Sequence, residues 1–181
     1  MKADRLDRLL ALTRRLRGGF ALTAPEPWTP STAAAEATVQ LGHLALCLLR
    51  HGAADTSALQ DAQRPIDDIG DELADVLLAL LSTATLAGTA PVADPRPVQV
   101  LDQGPALLLL LVATGQLAEA ALVHDRLRHL PTGTPPSIPE ACSAAVTAAE
   151  TLAQALGLDL PDEFESMAED AGKFLRSRGI G

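Results

Sequence analysis

The sequence IDDIGDELADVLLALL, residues 66–81, begins with acidic residues and then becomes wholly apolar. Four of its acids have the spacing i, i+3, i+4 and i+7, which places them on one face of a helix: Asp68, Asp71, Glu72 and Asp75. Acids in a first helical turn complement the helix dipole. Asp75 lies further in, where a carboxylate entering an apolar face needs a cation, a hydrogen bond or a proton. Glu72 and Asp75 are therefore candidate ligands of one hard cation.

A second row of polar residues precedes this stretch. Glu36, Gln40 and His43 have the spacing i, i+4 and i+7, which predicts a common helix face. Mg²⁺ prefers oxygen ligands and keeps waters that a phosphate substrate replaces. We expect Glu36 to assist Glu72 and Asp75 in a magnesium site, and Asp68 or Asp71 to add oxygens that hold its bound water.

A transition-metal site is an alternative use of the same segment. His43, Cys47 and His51 recur at i+4 spacing, and Zn²⁺ accepts nitrogen, sulfur and oxygen ligands. The competing interpretation, which we favour, is a helix with one buried cysteine and two partly exposed histidines. Cys47 and Cys142 lie far apart within apolar patterns, which indicates two buried thiols in a reducing compartment.

Composition narrows the fold and the partners. The chain has 181 residues, enough for one compact domain, and its apolar content of 48% includes only 2% aromatic residues. Alanine and leucine favour helices over strands. The net charge of −9 argues against a nucleic-acid duplex as partner. Residues 76–93 are uncharged, but their threonines, glycine and proline argue against a membrane span, so we expect a soluble, cytoplasmic protein.

The helical pattern predicts an all-α fold. We expect a first helix that stops at Gly18-Gly19 and a second that opens at Thr29-Pro30 and runs to about His51. A loop over residues 52–65 follows, and then a third helix that is capped by Asp67 or Asp68 and ends near Gly88. After a proline-rich linker, we expect helices over about 106–130, 139–156 and 161–177.

An internal repeat is also predicted. The sequence VQLGHLALCLLRH, residues 39–51, aligns with VATGQLAEAALVH, residues 112–124. In each half a linker and a further helix follow, closing on Gly88 and Gly157. The expected organisation is one repeat over residues 1–90, a linker over 91–105 and a degenerate second repeat over 106–181, packed as one globule.

Two motifs together resemble a known family. VQLGHLA followed by GDELADVLLALL is similar to the MazG-like all-α NTP pyrophosphatases, in which E-x-x-E on one helix and E-x-x-D on the next hold Mg²⁺. The resemblance implies that Glu72 and Asp75 are the second pair. The first pair aligns with Gln40 and His43, and both of its carboxylates are missing. In the second repeat the corresponding positions are occupied by residues that cannot replace them: Ala113, Gln116, Ala141 and Ala144.

The resemblance implies hydrolysis of a nucleoside triphosphate to a monophosphate and pyrophosphate. It also implies that Lys173 and Arg176, on the closing helix, contact phosphates. Trp28, in the stretch PWTPST that is similar to the family's approach to the second helix, is a candidate to stack on a nucleobase. The competing roles are a plug over the helical core for Trp28 and ion pairs with Glu165, Glu169 and Asp170 for the two cations. Loss of two carboxylates weakens Mg²⁺ binding, which leaves three functions open: a pseudoenzyme, an active pyrophosphatase, or a helical interaction module. A homodimer is expected, although the second repeat could replace a partner subunit.

Overall fold

The computed structural model describes residues 1–60, 66–93, 99–130 and 132–180. These residues form helices and no strand, which confirms the all-α prediction. A short 3-10 helix, Ser57–Leu59, lies in the predicted loop, whose residues 61–65 are outside the described part. The six α-helices are α1 (Ala3–Ala21), α2 (Pro30–His51), α3 (Ile69–Leu86), α4 (Gln103–His124), α5 (Ile138–Leu156) and α6 (Leu160–Ser177).

The helices that carry the polar rows begin where the sequence predicts. The Thr29 side chain accepts a hydrogen bond from the Thr32 amide, and Pro30 takes the first helical position of α2. At the start of α3, the Asp68 carboxylate accepts hydrogen bonds from the amides of Gly70 and Asp71 at 2.8 and 3.2 Å. These caps fix the registers of the two helices relative to the polar residues that follow.

The prediction that Gly18-Gly19 stops the first helix is wrong. Helix α1 continues to Ala21, and Gly19 serves packing instead. A Cβ atom at Gly19 would lie 2.5 Å from the Leu175 side chain of α6. The glycine therefore lets α1 and α6 approach closely while the helix continues, at the ordinary cost of glycine in a helix.

The predicted bounds of the fourth helix also need correction. It spans Gln103–His124, so it begins inside the predicted linker and ends before Leu130. Arg126 follows with a φ of 59°, a left-handed conformation that ends the helix. The neighbouring Asp125 carboxylate accepts a hydrogen bond from the Ser31 amide at 2.8 Å, which ties the end of α4 to the start of α2. Linker residues 94–98 lie outside the described part.

Two helix pairs have the most extensive packing. α2 packs along α3, and α4 packs along α5, while α3 also contacts α1, α5 and α6. The core is aliphatic apart from Phe164, and α3 supplies a continuous buried run from Val76 to Ala84. Burial on several sides explains why residues 76–84 carry no charge. Cys47 and Cys142 are buried free thiols.

Two helices, α2 and α4, are long and apolar enough to cross a membrane by length and composition. Core helices of soluble proteins pass the same test. In the most apolar 18-residue segment of α2, 50% of the residues are buried, whereas in that of α4 only 39% are buried. The outward face of α4 is therefore unusually apolar for a surface.

Candidate functional site

A pocket of about 510 Å³ lies where the end of α1, the segment 20–28, α2 and α3 meet. Its wall includes three polar residues that the sequence predicts, Glu36, Gln40 and Asp75, and the predicted aromatic residue, Trp28. The wall also includes a cation, Arg17, whose place in the pocket the sequence pattern does not predict. The complete polar and aromatic set is Arg17, Phe20, Thr23, Trp28, Glu36, Gln40 and Asp75. Apolar side chains, among them Leu78 and Leu86, complete the wall.

Arg17 is placed in this pocket by the apolar face of α1. The buried residues Leu6, Leu10 and Thr13 are followed by Arg17 at the same helical spacing. Its guanidinium carbon lies 4.5 Å from the centre of the Trp28 ring and 5.1 Å from that of Phe20. Both distances are within the range of cation–π attraction. Trp28 therefore stacks on a side chain of the protein itself.

The surroundings of Arg17 are both apolar and acidic. Burial lowers the pKa of the Arg17 guanidinium, while the negative charges of Glu36 and Asp75 act to raise it. Its Nε atom is buried and has no hydrogen-bond acceptor among the described residues. Arg17 is thus a partly desolvated cation whose nearest compensating charges are the two carboxylates of the pocket.

The polar row of α2 forms a connected chain of hydrogen bonds. Gln40 Nε2 donates to Glu36 Oε1 at 2.7 Å, and Gln40 Oε1 lies 3.0 Å from Nδ1 of His43. A carboxylate only accepts, so Glu36 fixes the orientation of the Gln40 amide. The amide oxygen also only accepts, so Nδ1 of His43 carries a proton. The same Nδ1 lies 3.6 Å from Glu72 Oε2 of α3.

This row divides the predicted site into two parts. Glu36, Gln40 and Asp75 line the pocket with Arg17, whereas Glu72 does not line it and approaches His43 instead. Within the described residues, no group of three or more histidine, cysteine, aspartate or glutamate side chains is arranged to hold a metal ion. The pocket offers two carboxylates, one of them bonded to Gln40, and it contains a cation. These residues do not fit a magnesium ion held by four acids.

The other two predicted acids, Asp68 and Asp71, lie outside the pocket. Asp68 caps the helix. The pKa of Asp71 is raised by partial burial and by the charges of Asp68 and Asp170. Neither residue lines the pocket. The position of Asp68 at the start of α3 therefore explains this residue without a metal. Asp71 is close enough to α6 for the charge of Asp170 to affect it.

The two predicted phosphate contacts lie elsewhere. Lys173 Nζ contacts Asp170 at 2.7 Å and Glu169 at 3.5 Å on the exposed face of α6. Arg176 lines a shallow depression between α1 and α6 together with Arg8 and Arg15. Neither cation lines the Trp28 pocket.

The three residues of the zinc alternative do not converge. His43 is directed to Gln40 and Glu72, as described above. His51 Nδ1 lies 2.9 Å from the backbone oxygen of Cys47 and 4.0 Å from its Sγ atom. The pKa of Cys47 is raised by burial and by the charge of Glu72, which keeps it a protonated thiol.

A second groove, of about 700 Å³, lies between α4 and α5. In the alignment of the two halves, Leu109 corresponds to Glu36, Ala113 to Gln40 and Ala144 to Asp75. All three line this groove, together with Gln116 and Val112. The groove between α4 and α5 is mostly apolar, and its polar lining residues are Gln116, Ser137, Glu140, Ser143 and Thr147.

Protein-family models, curated proteins and solved structures were compared with the chain, and none of them matches it significantly. Its own geometry is the basis for a functional proposal.

Proposed function

We propose that the protein is a non-catalytic member of the MazG-like NTP pyrophosphatase superfamily, in which an arginine of the chain has taken the place of the catalytic metal. The observation that carries this proposal is that the Arg17 guanidinium lies over Trp28 in the pocket that Glu36 and Asp75 also line. The protein would then act as a helical binding module with a pocket that no longer hydrolyses nucleotides.

The charges in the pocket favour this proposal. A hard divalent cation needs several anionic oxygens, and their mutual repulsion makes the empty site attractive to a cation. In this chain the guanidinium already reduces that negative potential, and Gln40 contributes an amide where the family has a carboxylate. Both changes act in the same direction, towards weaker metal binding.

The proposed duplication agrees with the lengths and pairing of the helices. α2 and α4 each contain 22 residues and end at the aligned histidines, His51 and His124. Each is followed by a helix that packs along it. We propose that α2/α3 and α4/α5 are degenerate MazG-like units and that only the first keeps polar residues from the ancestral site.

An active, Mg²⁺-dependent pyrophosphatase is the second candidate. Trp28, Glu36 and Asp75 line one pocket of adequate size, which favours this candidate over a purely structural bundle. It requires Arg17 to leave the carboxylates when substrate and metal bind.

The test is release of pyrophosphate from each common ribo- and deoxyribonucleoside triphosphate, with Mg²⁺ and with Mn²⁺. We expect no release above that of Asp75→Asn, which keeps the side-chain shape but removes one pocket carboxylate. Release by the wild type that disappears in Asp75→Asn and persists in Lys173→Ala would contradict the proposal. It would instead place catalysis in the Trp28 pocket.

A further inference from the structure

The Trp28 pocket presents charges of both signs to one volume. Arg17 contributes a guanidinium group, and Glu36 and Asp75 contribute carboxylates to the wall of the same cavity. The cavity measures about 510 Å³, and small-molecule sites in proteins span roughly 300–1,000 Å³. The pocket is therefore large enough for a small molecule, and its charges restrict which kind of molecule fits.

The opposite charges do not neutralise each other by direct contact. The Arg17 guanidinium lies over the Trp28 ring. Within the described residues, no hydrogen bond or ion pair joins it to Glu36 or Asp75, which act on it through their charge alone. Its Nε atom is buried without an acceptor, and such an unmet donor costs free energy that an acceptor in the pocket would recover.

The acidic side of the pocket also has capacity to bind. Glu36 Oε1 accepts one hydrogen bond, from Gln40 Nε2 at 2.7 Å. A carboxylate has about four acceptor positions on its two oxygens, so Glu36 can accept further donors without losing Gln40. The pocket thus combines a cation that lacks an acceptor with a carboxylate that can take another donor.

This combination of charges disfavours three classes of ligand. A polyanion such as a nucleoside triphosphate brings more negative charge than one arginine balances beside two carboxylates. An organic cation is attracted by the carboxylates but repelled by Arg17. A neutral apolar molecule displaces water from all three charged groups and replaces none of the lost hydrogen bonds. A ligand that carries one charge of each sign has none of these penalties.

The rest of the wall indicates what joins the two charges of the ligand. Most of the pocket surface is apolar, and Leu78, Ala79 and Leu86 of α3 face Phe20 and the prolines of the segment 20–28 across it. Apolar surface of the ligand that leaves water against these side chains contributes favourably to binding. A ligand that fits the whole pocket therefore has an apolar body.

We propose that the Trp28 pocket binds a small zwitterion with an apolar body, the class to which free amino acids with apolar side chains belong. Its ammonium group lies at Glu36 in the field of Asp75, and its carboxylate lies at Arg17. Its apolar body packs against Leu78 and Leu86. This inference rests on the proposed non-catalytic function, because a pocket that holds no metal-bound nucleotide is available to another ligand.

The experiment is isothermal titration calorimetry of the full chain with free leucine and with free phenylalanine. At least one of the two should bind to the wild type. Glu36→Gln, which keeps the side-chain shape and an acceptor for Gln40, should weaken that binding by about 10-fold or more. The matched control is Glu140→Gln in the groove between α4 and α5, because glutamine can replace glutamate in the capping box of α5. It should leave the affinity unchanged.

Two derivatives of the bound amino acid test each charge separately. The amide derivative keeps the ammonium group but lacks the carboxylate, and the N-acetyl derivative keeps the carboxylate but lacks the ammonium group. Each should bind to the wild type about 10-fold or more weakly than the amino acid itself. In Arg17→Met the amino acid and its amide should bind equally, because the partner of the carboxylate is gone.

Three results would overturn the inference. They are no binding of either amino acid, an amide or N-acetyl derivative that binds the wild type as tightly as the amino acid, and an affinity that Glu36→Gln leaves unchanged. Pyrophosphate release by the wild type would instead overturn the proposed function. Absence of both pyrophosphate release and amino-acid binding would contradict this inference alone. Circular dichroism of each variant shows whether a loss of binding is a loss of fold, and the comparison of derivatives on the wild type does not depend on any variant.

Discussion

The groove of the pair α2/α3 and the groove of the pair α4/α5 differ in the chemistry of their walls. The first is lined by Glu36, Gln40 and Asp75 together with Trp28 and Arg17. In the second, the positions that the proposed duplication aligns with the three polar residues carry Leu109, Ala113 and Ala144, and the wall is mostly apolar although it includes Glu140. The difference shows that a few side chains decide whether a groove between paired helices is polar or largely apolar.

Arg17, near the end of α1, accounts for much of this difference between the two grooves. Carboxylates in a half-buried groove need a compensating charge, and Arg17 provides it from the end of α1. The second groove has one acid among its lining residues, Glu140, which accepts hydrogen bonds from the amide and hydroxyl of Ser137, and its wall is otherwise mostly apolar. The pocket carboxylates and Arg17 therefore depend on each other, and substitution of either should affect only the pair α2/α3.

The largest expected effects test whether the two pairs share one core. Leu77 of α3 and Leu152 of α5 are both fully buried. Leu77→Ala and Leu152→Ala should each lower the free energy of unfolding by about 3 kcal/mol, from lost burial and the cavity left behind. Urea unfolding should remain a single transition for both. A separate early transition in Leu152→Ala would show that α4/α5 unfolds independently of α2/α3.

Removal of the pocket cation is the next largest effect. Arg17→Met keeps much of the side-chain volume but removes the positive charge that acts on Glu36 and Asp75. We expect a loss of about 2 kcal/mol in urea unfolding. The matched change in the other groove is Leu109→Ala, at a side chain that is 36% exposed, which should cost less than about 1 kcal/mol. Equal losses would contradict the distinction between the two grooves.

A smaller effect concerns the junction of the two halves. Asp125 accepts a hydrogen bond from the Ser31 amide at the start of α2, and Asp125→Asn should cost about 1 kcal/mol. Partial burial raises the pKa of Asp125, but hydrogen bonding from Ser31 and Thr29 outweighs it, so the pKa is lowered from its ordinary value of 3.8.

The lowered pKa fixes the pH dependence of this contribution. A carboxyl group with a lowered pKa stabilises the fold above its unfolded value of 3.8, and it loses that contribution as the pH falls through the lower, folded value. The difference in unfolding free energy between wild type and Asp125→Asn should therefore be present at neutral pH and disappear in acid. A difference that persists well below the folded pKa would mean that the contact does not depend on the charge.

The smallest effect compares the two aligned glycines. Gly42 of α2 and Gly115 of α4 both have open space at the Cβ position. Gly42→Ala and Gly115→Ala should each stabilise the fold by up to about 1 kcal/mol, because alanine favours the helix. A destabilising Gly42→Ala would reveal a close approach to Gly42 that the geometry does not contain.

Local signals in the sequence were sufficient for most of the fold. Capping residues predicted the starts of α2 and α3, and helical spacing predicted the common face of Glu36, Gln40 and His43. Tertiary contacts decided where these signals failed. The sequence around Gly19 predicts the end of a helix, but Gly19 lies within α1 and gives the side chain of Leu175 room to pack closely.

The candidate site was predictable only in part. Spacing brought Glu36 and Asp75 towards each other, but it could not show that Glu72 turns to His43 or that α1 contributes Arg17. The available signal for Arg17 was its place on the apolar stripe of Leu6, Leu10 and Thr13. A charged residue at the end of such a stripe can be assigned to a pocket only when the acids on the other helices that line the pocket are known.

The central claim is that Arg17 occupies the place of a metal, and the most direct measurement is thermal melting during a Mg²⁺ titration. Wild type should melt at the same temperature throughout, whereas Arg17→Ala should gain stability as Mg²⁺ is added, because Mg²⁺ can then supply the positive charge that Arg17 brings to the pocket of Glu36 and Asp75. Arg17→Ala/Asp75→Asn should lose that gain. A wild-type melting temperature that rises with Mg²⁺ and no longer rises in Asp75→Asn would contradict the account.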